Sequence, residues 1–132
     1  MGHSTIDWIA DYIEHLEERP VTPDVRPGDV RASLPERAPE APEPFTDLLD
    51  DVNSLIAPAI THWQHPGFFG YFSCNSSAPA ILGELLSAGF GINGMLWSTS
   101  PAATELETHM LDWLLDLCGL PDCFRSDGKG GG

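Results

Sequence analysis

The sequence predicts a mainly α-helical chain. Apolar residues recur at helical spacing in several segments, and two helices are predicted to begin with a serine cap and a proline in the first turn, at Ala78-Pro79 and Ser100-Pro101. No segment shows the alternating pattern of a half-buried strand. With 132 residues, of which 42% are hydrophobic, we expect one domain with a modest core.

The first predicted helix runs from a cap at Ser4 or Thr5 to about Glu18, where Arg19-Pro20 should end it. Its apolar stripe consists of Ile6, Ile9, Ile13 and Leu16. Residues 20–44 then carry seven prolines and almost no large apolar side chains. This composition predicts an extended strap or linker; disorder and an arm laid across a partner surface are the alternatives.

The second predicted helix begins at Phe45-Thr46, with Thr46 as its cap and Phe45 as a hydrophobic staple. Pro58 should kink or divide it, because proline lacks the N–H that a helix interior needs. The last predicted helix starts at Ser100 and stops before Gly119 and Pro121, in the usual order of stop signals.

The helix predicted from Ala78 is apolar on several sides, which is typical of a buried helix. Its glycines would let another helix approach closely: Gly83, Gly89, Gly91 and Gly94. A chain this small gains little net stability from its own core. We therefore expect an obligate oligomer or a piece of a longer protein. The glycine-rich end, normally a lead-in to a strand or a phosphate-binding loop, favours the second expectation.

Charge and composition exclude several functional classes. The net charge of −14 and a pI of about 4.3 argue against nucleic acid or an anionic membrane as a partner. The apolar runs are too short to span a bilayer, and the acidic first helix is not a signal peptide. Three cysteines without a zinc-site spacing indicate free thiols, so we expect a cytoplasmic protein.

The stretch Thr61–Phe72, THWQHPGFFGYF, is the strongest candidate for a site. It combines five large aromatic rings with two histidines, one proline and two glycines. Flat rings on a backbone bent by glycine and proline suit a site that grips a planar group. A core aromatic cluster that happens to lie on a turn is the alternative.

Other candidate chemistry is weak. His62 and His65 are three residues apart, but Pro66 follows directly and no further ligand is well placed, so no metal site is expected. Lys129, the only lysine, lies among glycines and is a poor Schiff-base candidate. No catalytic triad, Walker loop or dinucleotide fingerprint is present.

Several separated motifs nevertheless follow one another in a specific order. They are the Thr61–Phe72 stretch, NSS with Pro79, LWSTSPAATELE at Leu96–Glu107, DWL at Asp112–Leu114, and the glycine run. In this order they resemble the N-terminal quarter of the group II pyridoxal-phosphate-dependent decarboxylases, of the aromatic-L-amino-acid and tyrosine decarboxylase kind. The proline-rich segment is similar to the strap of that family, so the resemblance covers nearly all of Ile6 to Gly132.

The resemblance implies a fold-type I α/β enzyme, similar to aspartate aminotransferase, that uses pyridoxal 5′-phosphate (PLP). It implies removal of CO2 from an aromatic L-amino acid (tyrosine, DOPA, tryptophan or phenylalanine), which leaves an arylalkylamine. Residues 1–77 would be the N-terminal helices and strap, which form a homodimer and one wall of the substrate pocket. Residues 78–132 would be the first helices of the large, PLP-binding domain.

By position, the resemblance implies that one group of residues lines the pocket for the substrate side chain: Trp63, Tyr71, Phe72, Ser73 and Cys74. It also implies that Asn93 and Met95 enter the pocket of the neighbouring subunit. Two departures stand out. The position of Cys74 usually carries a small hydroxyl residue in the animal enzymes, and that of Met95 an aromatic one. A methionine is more adaptable, so the width of the accepted substrate would differ.

The resemblance also implies that the cofactor lysine, the histidine stacked on the pyridine ring and the aspartate paired with its nitrogen lie beyond the glycine run. We therefore expect this segment alone to be inactive and to bind no PLP. Two other functions stay open: a stand-alone helical interaction module without catalysis, and a group II decarboxylase of a non-aromatic amino acid. An aldehyde-forming variant of the reaction is likewise open.

Overall fold

The computed structural model describes residues 1–72, 74 and 76–129, and these residues form helices, turns and extended segments without a strand. The five α-helices are α1 (Gly2–Glu14), α2 (Asp29–Ser33), α3 (Phe45–Asp51), α4 (Ala78–Phe90) and α5 (Pro101–Leu117). The prediction of a mainly helical chain is thus confirmed. The chain divides into two compact units, Met1–Ser76 and Ser77–Gly132. The predicted roles of Ser73, Asn75 and the last three glycines lie outside the described residues.

Helix α1 begins earlier and ends earlier than predicted. Met1 precedes it without a side-chain cap, and the Thr5 hydroxyl instead donates to the Met1 carbonyl oxygen at 3.2 Å. The predicted cap at Ser4 or Thr5 is therefore wrong, because both residues already lie in the first turn. The α-helix stops at Glu14, and a 3₁₀ turn at Leu16–Glu18 follows. The predicted stop before Pro20 is confirmed: Arg19 is extended, as a residue before proline prefers.

The strap of residues 20–44 contains one short helix that its composition did not predict. Helix α2 follows Gly28, whose φ of 103° lies in the left-handed region. The Asp29 side chain accepts a hydrogen bond from the Arg26 N–H at 2.8 Å, and α2 lies against the 52–56 segment. A five-residue helix carries no periodic apolar pattern, so only the turn signal Pro27-Gly28-Asp29 marks it in the sequence.

Helix α3 begins at Phe45 with Pro44 in front of it, so Thr46 lies inside the helix and the predicted cap and staple are wrong. The division at Pro58 is confirmed. The α-helix widens into a π-helical turn at Val52–Ile56 and then tightens into a 3₁₀ turn at Ala57–Ala59. The cause is that Pro58 has no N–H to donate four residues back along the helix.

Helix α4 starts as predicted and ends sooner. The Ser77 hydroxyl accepts a hydrogen bond from the Ala80 N–H at 3.3 Å, which confirms the serine cap. The helix ends at Phe90, because Gly91 turns into the left-handed region with φ 60°. The predicted close approach of another helix is not seen in the described residues, since a Cβ added at Gly83 or Gly89 would meet no atom within 4 Å.

The segment after α5 folds back on that helix. Asp112 accepts two hydrogen bonds from Ser126, one from the N–H at 2.9 Å and one from the hydroxyl at 2.8 Å. These two bonds, the backbone one first, lower the pKa of Asp112. The Arg125 guanidinium pairs with Asp116 on the same helix. The predicted stop at Gly119 is confirmed: α5 ends at Leu117, and Gly119 adopts a left-handed φ of 63°.

Within the described residues, the chain buries little apolar surface of its own. The buried apolar side chains are those of Leu16, Ala57 and Leu115. Helix α4, predicted to be buried, keeps Leu86 at 61% and Phe90 at 73% exposure. An apolar surface this large is typical of an interface. In the part of the chain that the structure describes, no helix has both the length and the apolar character to cross a membrane.

The centre of the first unit is a buried histidine. His62 is 2% exposed, its Nδ1 lies 2.7 Å from the Tyr12 hydroxyl, and its N–H donates to the Val21 carbonyl oxygen at 3.0 Å. The Tyr12 ring stacks on Trp8 at a centroid distance of 5.5 Å, and the Arg19 guanidinium lies 5.1 Å from its centroid. We call these five residues the His62 cluster; it joins α1, the start of the strap and the aromatic turn.

Acidification should loosen the His62 cluster. Burial, followed by the positive charges of Arg19 and His65, lowers the pKa of His62 below its ordinary 6.5. The unfolded chain therefore binds a proton on this ring more readily than the folded one. The stabilisation from neutral His62 is complete above the unfolded pKa and is lost as the pH falls through and below it. Hydrogen exchange of residues 61–65, corrected for intrinsic rates, should therefore accelerate as the pH falls below the ordinary histidine pKa of 6.5.

His15 supplies the control for this measurement. A hydrogen bond from its ring to the Asp11 carbonyl oxygen, aided by the nearby Asp11 carboxylate, raises the pKa of His15. Its linkage to stability therefore has the opposite sign. A His15→Gln protein should keep the pH dependence of residues 61–65, whereas His62→Asn should flatten it. A dependence that survives in His62→Asn would contradict the assignment.

The end of α4 should depend on the backbone freedom of Gly91. Nothing lies within 4 Å of an added Cβ, so the cost of Gly91→Ala is conformational rather than steric. We expect Gly91→Ala to lower the local opening free energy of the last turn of α4 by about 1 kcal/mol. Gly91→Asn should lower it less, because asparagine tolerates this region. Hydrogen exchange measures the local opening free energy in both variants. Equal decreases in the two would contradict a conformational cause.

Candidate functional site

The aromatic stretch Thr61–Phe72 folds as successive tight turns. The His65 N–H donates to the His62 carbonyl oxygen at 2.9 Å, and the Phe68 N–H donates to the His65 carbonyl oxygen at 2.9 Å. The His65 ring adds a third bond, because its Nδ1 accepts from the Gly67 N–H at 2.8 Å. Glycine and proline in this stretch thus serve turns that are closed by backbone and imidazole hydrogen bonds.

Three rings of the stretch pack together. Trp63 lies at the centre, with its ring centroid 5.0 Å from that of Phe68 and 5.7 Å from that of Tyr71. Both pairs are tilted, at 46° and 34°. Trp63 is 46% exposed and Tyr71 is 88% exposed. The trio therefore offers an open aromatic face, with Phe68 as its more buried support, that could receive another flat ring.

The backbone at Tyr71 is strained. Its φ of 54° is the only positive value at a non-glycine position in the described part of the chain. For a bulky residue this conformation costs about 1 kcal/mol, and such strain clusters at sites that bind ligands. The same residue places its ring 5.7 Å from that of Trp63, so a local backbone cost accompanies the placement of a site candidate.

Both histidines of the stretch are used in its folding. Nδ1 of His62 is bonded to Tyr12, and Nδ1 of His65 accepts from Gly67, which places the proton of neutral His65 on Nε2. Sequence reasoning considered these rings only as metal ligands and missed the Tyr12 contact. No spacing rule connects two residues fifty positions apart, and the available signal was only that Tyr12 borders the apolar stripe of α1.

The predicted pocket residues of the first unit have different surroundings. Trp63 and Tyr71 contact each other, as described above. Phe72 is fully exposed, and no ring packs on it among the described residues. Cys74 is exposed, and its carbonyl oxygen accepts a hydrogen bond from the Gln64 side chain, which ties the end of the stretch to its beginning. The fifth residue, Ser73, is not among the described ones.

Asn93 and Met95 belong to the second unit, in the turn that follows α4. The Asn93 side-chain oxygen accepts a hydrogen bond from the Met95 N–H at 3.3 Å, and the Met95 side chain is exposed. This local bond sets the backbone direction at Met95. Both residues are therefore available to a group outside the unit that carries them.

The motif Leu96–Glu107 contains a contact that the sequence did not reveal. The Trp97 indole N–H donates to a carboxylate oxygen of Glu105 at 2.8 Å, across the start of α5. The Thr99 hydroxyl also closes a turn on Leu96, accepting from its N–H at 3.1 Å and donating to its carbonyl oxygen at 2.8 Å. Glu105, interpreted from sequence as a capping or surface residue, thus fixes a tryptophan.

Comparisons with known proteins identify the family to which the chain is similar. The family model described as the pyridoxal-dependent decarboxylase conserved domain matches residues 27–132. Over 99% of its length, the chain is 52% identical to phenylacetaldehyde synthase from Arabidopsis thaliana and 49% identical to tyrosine decarboxylase 2 from Narcissus pseudonarcissus. It covers 27% and 26% of these relatives, so it spans about a quarter of their length.

Solved structures agree with the sequence comparisons. Tryptophan decarboxylase from Catharanthus roseus, in complex with L-tryptophan, superposes with a TM-score of 0.89 at 42% identity over 96% of this chain and 27% of that one. Oryza sativa TDC with PLP and tryptamine gives 0.91 at 37% identity over 98% and 27%. The match of the family model to most of the chain, together with these likenesses, shows that the chain belongs to the pyridoxal-dependent decarboxylase family.

Proposed function

We propose that this chain is the N-terminal part of a PLP-dependent enzyme that removes CO2 from aromatic L-amino acids, and that the open face of Trp63 and Tyr71 is one wall of its substrate pocket. The observation that carries this proposal is the contact of the Trp63 and Tyr71 rings at 5.7 Å, made where the backbone at Tyr71 has a positive φ. Relatives named for tyrosine and for tryptophan, one in complex with L-tryptophan, support an aromatic substrate.

PLP, when bound, supplies the electron sink that accepts the electron pair of the broken carbon–carbon bond. The described residues do not by themselves make a site for it. Lys129 is the only lysine of the sequence, and it is exposed in a glycine-rich turn. A Schiff-base lysine needs a pocket that keeps it deprotonated and oriented. We therefore assign the groups that hold the cofactor to the rest of the enzyme.

The contribution of this chain is substrate placement. An aromatic side chain packed on Trp63 and Tyr71 would gain about 0.5–1.5 kcal/mol beyond its burial. It would also exclude water from that side of the pocket. Phe72, Ser73 and Cys74 continue the same wall in this proposal. Asn93 and Met95 would enter the pocket of the neighbouring subunit, and the backbone turn set by Asn93 would direct Met95 towards it.

The proposal includes a homodimer in which residues 1–77 supply contacts and pocket wall, and residues 78–132 begin the cofactor-binding domain. The apolar side chains that α4 leaves exposed support a large partner surface. A cytoplasmic location belongs to the proposal as well. It is supported by Cys74, Cys118 and Cys123, which are all free thiols.

Two reaction outcomes are compatible with these relatives. Simple decarboxylation converts the amino acid and a proton to CO2 and an arylalkylamine. An aldehyde product, the outcome after which phenylacetaldehyde synthase is named, also requires water, which replaces the amine nitrogen as ammonia leaves, and an oxidant such as O2, which takes up two electrons and becomes hydrogen peroxide. We propose the amine as the main product, and the measurement below separates the two outcomes.

Substrate class can be tested directly with the full-length enzyme. Loaded with PLP, it should release CO2 from at least one of tyrosine, DOPA, tryptophan and phenylalanine, with a kcat/KM at least about a hundredfold above that for glutamate. Amine and CO2 in equal amounts, without hydrogen peroxide, would identify the decarboxylase. Release of CO2 from glutamate but from none of the four aromatic substrates would contradict the proposal.

The aromatic wall is tested by Trp63→Leu in the full-length enzyme. Loss of the ring face should raise KM for the preferred aromatic substrate about three- to tenfold, because that factor matches one lost aromatic contact. Phe69→Leu is the matched control, since Phe69 lies in the same stretch and is exposed without joining the trio. Its KM should change less than about twofold. Equal losses in the two variants would argue against a specific wall.

A further inference from the structure

We propose that Tyr12 and His62 form a positioning pair that holds the aromatic wall in place, an inference that rests on the proposed function. Neither residue belongs to the ring trio. His62 directly precedes Trp63, and its ring is bonded to Tyr12 of α1 at 2.7 Å. The pair would determine where the Trp63 ring stands and so which aromatic substrates fit.

His62 is held by three hydrogen bonds. Nδ1 of its ring is hydrogen-bonded to the Tyr12 hydroxyl. Its backbone N–H donates to the Val21 carbonyl oxygen at 3.0 Å, and its carbonyl oxygen accepts from the His65 backbone N–H at 2.9 Å. The residue is almost fully buried. The backbone that leads into Trp63 therefore cannot shift without breaking one of these bonds.

Tyr12 is itself held in place by two neighbouring side chains. The Trp8 ring stacks on the Tyr12 ring with an interplanar angle of 9°, and the Arg19 guanidinium lies over the Tyr12 ring. A tyrosine hydroxyl is protonated at neutral pH and can donate to neutral His62, and burial raises the pKa of Tyr12 further. The hydroxyl direction is thus fixed by packing, and the bond transmits that direction to the aromatic stretch.

Backbone hydrogen bonds connect the pair to Phe68 and Trp63 of the ring trio. The turn bond from His65 to His62 continues to Phe68, whose N–H donates to His65 and whose ring packs on Trp63. Movement of His62 would therefore displace both Trp63 and its support. The effect expected is a change in the fit of the substrate ring, with little effect on the bond-breaking step.

The test uses the full-length, PLP-loaded enzyme with the variant Tyr12→Phe, which removes only the hydroxyl and keeps the stacked ring. KM for tryptophan should rise about three- to tenfold, kcat should stay within about twofold, and the ratio of kcat/KM values for tryptophan and phenylalanine should change. Thr108→Val is the matched control, because it also removes one part-buried hydroxyl hydrogen bond, at 2.9 Å, in α5. It should change none of these quantities by more than about twofold.

A readout independent of activity accompanies the kinetics. In enzyme labelled with 5-fluorotryptophan, the Trp63 resonance is assigned through Trp63→Phe. Tyr12→Phe should shift or broaden that resonance and leave those of Trp97 and Trp113 in place, whereas Thr108→Val should not move the Trp63 signal. His62→Asn keeps an acceptor near the position of Nδ1, so it should disturb Trp63 less than His62→Leu does.

The outcomes separate the two proposals. An unchanged Trp63 resonance in Tyr12→Phe overturns the positioning pair, whatever the enzyme acts on. A shifted resonance with an unchanged KM and substrate ratio overturns its role in the reaction. If the wild-type enzyme does not act on aromatic amino acids, the proposed function fails. The role in substrate fit then fails with it, while the resonance shift still reports whether the pair holds Trp63.

Discussion

A part-buried hydrogen bond, between the Tyr12 hydroxyl and Nδ1 of the buried His62, organises the first unit of this chain. The described residues of this unit bury very few apolar side chains, so apolar packing among them defines little of the path of the loops. Burying an imidazole is costly unless its nitrogen is paired, and Tyr12 supplies that pair. In larger domains, apolar packing joins distant segments. Here the hydrogen bond joins α1 to the turn at His62, fifty residues later.

The aromatic stretch gains its shape from that anchor and from local turn bonds. His62 ties it to α1 and the strap, and His65 closes the turn through Gly67 and Phe68. On this frame, Trp63 can remain half exposed without collapsing into the unit. Tyr71 follows these turns with a positive φ, and its ring contacts Trp63.

The second unit has a large exposed apolar surface, and few of its own described side chains cover that surface. Leu85, Leu86 and Phe90 of α4 are all exposed, although the helix has a regular cap and a regular glycine stop. Local signals thus suffice to start and end a helix whose apolar side chains the other described residues of its own unit leave exposed. This agrees with a chain that spans about a quarter of the length of its relatives.

Local signals in the sequence determined much of the fold and the family. The serine cap at Ser77, the break at Pro58 and the stop at Gly119 follow from side-chain and backbone chemistry that acts within a few residues. The ordered motifs were sufficient for the family as well. Caps were predicted wrongly at Thr5 and Thr46, because a residue that can cap a helix can also lie in its first turn.

Only the tertiary structure decided which side chains meet. The bonds from Tyr12 to His62 and from Trp97 to Glu105, and the choice of Phe68 and Tyr71 over Phe69 as partners of Trp63, depend on how distant or turning segments approach each other. Hydrophobic periodicity carries no information about such contacts, because it reports the face that a residue occupies and not the residue across from it.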